Sequence, residues 1–204
     1  MEIIFYDCLE STQSFLLNVL KNNLCVVALR QTKGIGSRGN QWDTVESGLY
    51  FSFCVEKKQL PCDLKIQSAS IFFGFIFKEV LYEAGFDVWL KWPNDIYLKD
   101  AKIGGVLVNV KQDKVVCGIG LNFLSQSFGC LGEELERKEF LSLFFEKLKN
   151  TQEWKQIFSK YKIEFYKNLN FSFHDQDKVI SLKKAFLLDD GSIDLCGKII
   201  YSLR

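Results

Sequence analysis

Histidine is almost absent: the 204 residues contain one, His174. That removes the material for a Ser–His–Asp or Cys–His arrangement and for histidine-based metal sites. No G-x-x-x-x-G-K-[ST] stretch occurs, so the chain has no P-loop. The cysteines number seven, an odd count, and no two stand at C-x-x-C spacing. They read as buried, reduced thiols rather than a disulfide framework or a zinc site. Long apolar runs are lacking as well. The longest, around Ile71–Phe77, falls far short of the ~20 residues a membrane helix needs, and Glu2 and Asp7 interrupt the first run where a signal segment would lie. Nor is there an excess of either charge, with 26 Lys and Arg against 25 Asp and Glu, which argues against nucleic acid as a main partner. The expectation is a soluble, cytoplasmic protein with no membrane or nucleic-acid partner.

The chain is long enough for one sizeable core, and 19 phenylalanines spread along it read as core filling. Residues 2–8 predict a strand, and Ser11-Thr12 supply the start of a helix to about Asn22. A second strand covers 24–30, a Gly-rich loop 33–41, and a third strand 48–55. From Lys65 to Ala84 the positions Ile66, Ala69, Phe73, Ile76 and Val80 recur at helical spacing, with Gly85 as C-cap. Four short strands follow at 87–91, 95–99, 102–110 and 114–123, too closely spaced for helical crossovers and therefore antiparallel. Helices are expected at 133–149 and 151–168. Past Phe171 come the short strands VISLKKAFLL, SIDL and KIIYSLR, with Asp190-Gly191 as a hairpin turn. The division is a catalytic domain at 1–170 and a small β domain at 171–204.

Three stretches carry chemistry. Gly34-Ile35-Gly36-Ser37-Arg38-Gly39 matches G-x-G-x-x-G, but the chain then enters a strand rather than the helix a dinucleotide fold requires. What remains is an N–H-rich loop with one Arg, suited to an anionic group or merely a wide turn. With few apolar anchors, that loop is expected to be disordered before a ligand arrives. Lys91-Trp92-Pro93-Asn94-Asp95 contains one of only two prolines, and Trp89 and Lys91 share a strand face before it. A Lys at a strand end with Asn and Asp past the turn would meet a carboxylate, a phosphate and Mg²⁺, although a solvated Lys beside a hairpin turn has the same pattern. Lys102-Ile103-Gly104-Gly105 and Gly118-Ile119-Gly120-Leu121-Asn122 lie in adjacent strands. Alternation sets Gly118, Gly120 and Asn122 on one face, a bare floor for a flat ligand with Asn122 at its edge.

In order and spacing these pieces resemble the biotin–protein ligase family. Its Ser-Thr-Asn corresponds to Ser11-Thr12-Gln13, its Gln before the Gly-rich loop to Gln31, and its Trp after the loop to Trp42. Lys91-Trp92-Pro93-Asn94-Asp95 is the most specific match, and the two Gly-containing strands follow in place. The closing Gly197…Ser202-Leu203-Arg204 is similar to the end of the family's small C-terminal barrel. The resemblance implies an α+β fold: a mixed, largely antiparallel sheet flanked by helices, like class II aminoacyl-tRNA synthetases, with an abbreviated barrel-like C-terminal unit. It implies that biotin and ATP, with Mg²⁺, form biotinyl-5′-AMP, and that biotin passes to a lysine of a biotin carboxyl carrier protein. Ser11, Thr12, Gln13, Gln31, the loop residues Gly34, Ile35, Gly36 and Ser37, and Gly104-Gly105 would bind biotin. Lys91 would contact its carboxylate and the α-phosphate, with Arg38 as the second catalytic residue. Lys102 and Asn94 would lie by the phosphates, with Mg²⁺ near Asn94, while Trp42 and Asn122 would meet adenine.

Three departures stand out. The family's loop commonly reads Gly-Arg-Gly-Arg-x-Gly-Arg, and its Arg positions here hold Ile35, Ser37 and Asn40. The expectation is an adenylate held less tightly, with Lys33 or Arg38 partly substituting. The C-terminal unit is short, and with the chain starting at the first catalytic strand the expectation is that no helix-turn-helix is present. A lipoate–protein ligase or octanoyl transferase of the same superfamily is one rival reading, and a biotin or adenylate sensor without transfer is another. The Lys-Trp-Pro-Asn-Asp segment fits biotin better. A sheet edge would support a homodimer.

Overall fold

Alternation in the strands decides which side of the sheet is core. In Lys114–Leu124 the residues Val115, Cys117, Ile119, Leu121 and Phe123 join the main hydrophobic cluster, and Gly118, Gly120 and Asn122 point the other way. The computed structural model describes residues 1–151, 153–175 and 178–202. Along the chain come β1 (Glu2–Leu9), α1 (Thr12–Val19), β2 (Leu24–Gln31), β3 (Gly34–Ile35), β4 (Gln41–Trp42), β5 (Ser47–Glu56) and α2 (Ala69–Glu83). Then follow β6 (Val88–Lys91), β7 (Asp95–Leu98), β8 (Ala101–Lys111), β9 (Lys114–Leu124), α3 (Arg137–Asn150) and α4 (Trp154–Glu164). Five short strands complete it: β10 (Ser172–Asp175), β11 (Lys178–Ser181), β12 (Ala185–Leu187), β13 (Ile193–Leu195) and β14 (Lys198–Ile200).

Seven strands form one sheet in the order β1-β2-β5-β9-β8-β7-β6. Only β1 and β2 run parallel within it, so the sheet is mixed and largely antiparallel, as expected. Helix α2 covers one face and approaches it closely at Gly74, where a methyl group would sit 2.9 Å from Leu90 Cδ1 and 3.2 Å from Val106 Cγ2. The spacing read from sequence suggested an amphipathic helix from Lys65. Instead Ile66–Ser68 is a 3-10 turn, and α2 is buried on all sides from Ala69 to Phe77. Its outer side is covered by α3 and α4, with Phe77 against Phe140 and Phe75 against Tyr161. Helix α1 and the β3–β4 hairpin lie on the opposite face.

Several expected boundaries move. Helix α1 stops at Val19 because Leu20 turns left-handed at φ 49°. Helix α3 begins at Arg137, capped by Glu136, rather than at 133. Helix α4 begins at Trp154 because Asp63, distant in sequence, accepts the Trp154 and Lys155 N–H groups at 2.8 and 3.0 Å. It ends at Glu164, and a 3-10 segment runs on to Asn170. The single strand expected at 179–188 is broken at Leu182–Lys184 into β11 and β12. The Asp190-Gly191 turn forms as expected, with Gly191 at φ 83°. The C-terminal strands make a two-stranded and a three-stranded sheet and close no barrel. Phe173, Leu182, Leu187, Ile193 and Ile200 from these strands belong to the main core. Leu203 and Arg204 lie outside the described residues.

All seven cysteines are free. Cys25, Cys54 and Cys117 are buried as expected, and burial pushes the Cys25 and Cys117 thiols well up. Cys8, Cys62 and Cys196 are exposed instead, on an edge strand, after Pro61 and in a tight turn. No described helix is long and apolar enough to cross a membrane.

Candidate active site

A cleft opens where the N-terminus of α1 meets the β3–β4 hairpin over strands β8 and β9. Its first wall is uncharged. Ser11 caps α1 by accepting the Ser14 N–H at 3.3 Å, which fixes Thr12 and Gln13 at the cleft. Thr12 donates its N–H and its hydroxyl to Gln31 Oε1 at 2.8 and 3.1 Å, and its hydroxyl lies 2.9 Å from that of Ser52. Gln13 donates to Asn109 Oδ1 at 2.9 Å and to the Val116 carbonyl at 3.1 Å. Its own Oε1 is buried with no partner among the described residues.

The glycine floor exists, and it carries the Trp42 indole. A methyl group on Gly120 would lie 2.7 Å from Trp42 Cε2, and one on Gly105 would lie 3.3 Å from Cζ3. Among the described residues Trp42 Nε1 is buried and unpartnered, as is Asn122 Oδ1, whose Nδ2 donates to the Gly129 carbonyl at 3.0 Å. Buried polar atoms are normally paired. Three without partners in one region (Gln13 Oε1, Trp42 Nε1 and Asn122 Oδ1) are what a site for a polar ligand presents. Asn122 lies in an adjoining hollow with Gln41, Asp43, Lys102 and Phe128, beyond the Trp42 ring.

The charged end is built around one carboxylate. Asp95 Oδ1 is 2.7 Å from Lys102 Nζ, and its Oδ2 is 3.4 Å from Lys91 Nζ. Lys102 keeps 43% of its side chain exposed, lines the cleft and stands 5.6 Å over the Trp42 ring. Lys91 is buried behind Asp95, with 6% exposed, and stands 5.6 Å over the Tyr97 ring. Burial holds the Lys91 ammonium below the ordinary lysine range, against the opposing pull of Asp95; the positive charges of Lys102 and Arg38 add to the lowering. Asn94 donates its Nδ2 to the Val106 carbonyl at 2.7 Å. A register shift at Ile96/Tyr97 brings Lys102 opposite Tyr97 and onto the same carboxylate as Lys91.

Of the residues singled out from sequence, Ser11, Thr12, Gln13, Gln31, Ile35, Gly36, Ser37, Trp42, Asn94, Lys102 and Gly105 line this cleft together. Others stand back from it. Gly34 packs against the Trp42 main chain across the hairpin, and a methyl group on Gly104 would sit 2.7 Å from the Gly120 carbonyl oxygen, so both serve packing. Arg38 is exposed, left-handed at φ 59°, and faces a neighbouring groove that shares Gly36, Ser37 and Asn94. Lys33 pairs with Glu10 at 2.9 Å on the surface and does not reach the cleft. In place of the disordered loop expected, residues 34–42 form a small hairpin, closed by the Gly36 N–H to the Asn40 carbonyl at 2.7 Å. Sequence reasoning named Asp95 only as part of its motif, without the pairing to two lysines, and passed over Ser52. The latter could have been found as the one serine in the apolar run LYFSFCV.

Residues 5–122 match the model of the biotin/lipoate A/B protein ligase family. The chain is 34% identical over 124 residues to the bifunctional ligase/repressor BirA of Escherichia coli, covering 56% of this chain and 38% of that protein. With biotin–protein ligase 2 of Arabidopsis thaliana it shares 32% over 149 residues, 63% of this chain and 44% of the other. The chain therefore spans less than half the length of these curated relatives. Among solved structures, the biotin acetyl coenzyme A carboxylase synthetase of Helicobacter pylori, with bound biotinylated ATP, is 45% identical with a TM-score of 0.95, covering 98% of this chain and 99% of that one. The biotin protein ligase of Aquifex aeolicus in complex with biotin and ATP is 28% identical with a TM-score of 0.77, covering 100% and 96%. The motifs converge on one face of the sheet, the family model spans more than half of the sequence, and a relative matches almost end to end: this chain belongs to the biotin/lipoate A/B protein ligase family.

Proposed function

We propose that the chain is a biotin–protein ligase, which makes biotinyl-5′-AMP and passes biotin to a lysine of a biotin carboxyl carrier protein. The observation that carries this reading is the polarity of the cleft, an uncharged hydrogen-bonding wall at one end and two lysines on one carboxylate at the other. Biotin has the matching shape, a neutral ureido ring at one end and a carboxylate at the other. The Arabidopsis thaliana, Helicobacter pylori and Aquifex aeolicus relatives named above carry biotin in their names or bound ligands, which favours it over lipoate or octanoate.

In the first step a biotin carboxylate oxygen attacks the α-phosphorus of ATP, and pyrophosphate leaves with the electrons of the broken P–O bond. Negative charge grows on the phosphoryl oxygens, where Lys102 supplies a fixed positive charge without needing a proton transfer. Lys91, behind Asp95, keeps that carboxylate from turning the local field negative. In the second step the acceptor amine attacks the biotinyl carbonyl, AMP leaves, and the amine loses its proton. No protein nucleophile takes part, in keeping with the missing histidines. Among the described residues no three His, Cys, Asp or Glu side chains gather. Asp95, beside Asn94, is the carboxylate that lines the cleft. That suits Mg²⁺, which binds through one or two carboxylates plus substrate phosphates and would neutralise charge on the triphosphate.

Asp95→Asn gives a signed pH test. The Asp95 charge raises the Lys91 pKa, so its neutral replacement lowers it further. The basic limb of the pH–rate profile for adenylate formation therefore moves to lower pH; a shift to higher pH contradicts the arrangement. The function itself is tested by incubating the protein with biotin, MgATP and a purified carrier domain, then measuring the carrier's mass. One biotinyl group on a single lysine is expected. An unmodified carrier, beside a protein that still forms the adenylate, would remove the transfer step from the proposal.

A further inference from the structure

The segment between the two lysines is held from behind by the C-terminal part of the chain. Trp92, next to Lys91, is fully buried. Its main-chain N–H donates to Asn168 Oδ1 at 2.6 Å, and its indole N–H donates to the Gly191 carbonyl at 3.1 Å. Phe173 packs edge-on against its ring, with centroids 5.0 Å apart. Asn168 is itself fully buried, and its Nδ2 has no partner among the described residues. The carboxamide thus commits its one satisfied bond to Trp92. The Asn168 carbonyl also accepts the Phe171 N–H at 2.9 Å, and Phe171 packs on both Trp89 and Tyr97, 5.1 and 5.3 Å away. Tyr97 is the ring beneath Lys91. Gly191 is anchored in turn, since a methyl group there would lie 2.7 Å from Ser68 Oγ and 3.1 Å from Trp154 Cζ2.

We propose that Asn168 and the Asp190–Gly191 turn form a clasp that positions the Lys91–Asp95 segment for adenylate formation, so that the C-terminal unit takes part in the first half-reaction without touching either substrate. The inference rests on the biotin-ligase reading above. Asn168 is a positioning residue: the N–H it accepts lies between Lys91 and Pro93, so any shift there moves Lys91 on one side and Asn94 and Asp95 on the other. Without the carboxamide, the buried Trp92 main-chain N–H loses this bond, and with it the hold that fixes the segment. The ureido wall of Thr12, Gln31 and Ser52 is on other elements and stays as it is.

The test compares the parent protein with Asn168→Ala and with Trp92→Phe, which keeps an aromatic ring at this position and loses the indole N–H that reaches the Gly191 carbonyl. Biotin affinity is measured by calorimetry without nucleotide, and biotin-dependent pyrophosphate exchange is measured per folded molecule. For Asn168→Ala the expected result is a fall in the exchange kcat of about tenfold to a hundredfold, with biotin affinity unchanged. Trp92→Phe gives the same pattern, smaller. A purely structural role would lower the melting temperature but leave kcat per folded molecule in place, and that result overturns the proposal. If Asn168→Ala does not fold, Trp92→Phe decides alone: a parental kcat overturns it. A parent without exchange would count against the biotin-ligase reading and so remove the ground of this one, whereas an active parent with unaffected variants counts against the clasp only.

Discussion

Changing Lys102 to Gln lowers biotin-dependent pyrophosphate exchange by about a hundred- to a thousandfold, while biotin affinity measured without nucleotide stays close to the parent's. Gln retains much of the length and the hydrogen-bonding capacity of Lys102 and removes only its charge. That charge is the one the geometry places at the reacting end. Lys102 lines the cleft, partly exposed, with its ammonium 2.7 Å from Asp95 Oδ1 and over the Trp42 ring. Phosphoryl oxygens gain charge as the carboxylate attacks, so the loss falls on kcat more than on ground-state binding. Removal of Lys102 also leaves Asp95 facing the phosphates with only the more distant Lys91 to offset it. Exchange at the parental rate would mean that the reacting carboxylate and phosphate meet elsewhere.

Gly120→Val should weaken biotin binding by more than about a hundredfold, while the protein still folds. Glycine is not required at this position by its backbone, which is ordinary strand, and valine suits a strand. The obstacle is the Trp42 indole: a Cβ at 120 would sit 2.7, 2.9 and 3.0 Å from three of its atoms. Contacts that short cannot be held, so the ring leaves the floor and takes the β3–β4 hairpin with it. The hairpin contributes Ile35, Gly36 and Ser37 to the cleft. Overpacking of this kind also costs stability, of order 1–3 kcal/mol, so calorimetric titration is run below the variant's own melting temperature. Parental biotin affinity in Gly120→Val would show that neither the floor nor Trp42 belongs to the binding site.

How much of this could be read in advance depends on whether the information is local. The two faces of β9 follow from alternation alone, and the glycines on one face with Ile119, Leu121 and Phe123 on the other are placed as the sequence predicts. The uncharged wall is partly legible because Ser11 and Thr12 start a helix and Gln31 ends the neighbouring strand. What failed was long-range. The start of α4 depends on Asp63, and the closed form of residues 34–42 depends on Gly34 meeting the Trp42 main chain. Asp95 was visible in its motif, but no spacing rule shows that a register shift between its own strand and the next brings Lys102 to the same carboxylate. Likewise Lys91, expected to touch substrate directly, stands behind Asp95, a matter of depth that strand alternation cannot report. Arg38 was the one arginine in the loop, and only the turn geometry reveals that it faces the adjoining groove.

The most direct test is pyrophosphate exchange into ATP, run in parallel with biotin, lipoate, octanoate and no acid. The account predicts exchange with biotin alone, lowered by about a hundred- to a thousandfold in the Lys102→Gln variant. Exchange driven by lipoate or octanoate and not by biotin, or none with any acid by a protein that still binds biotin, would contradict it.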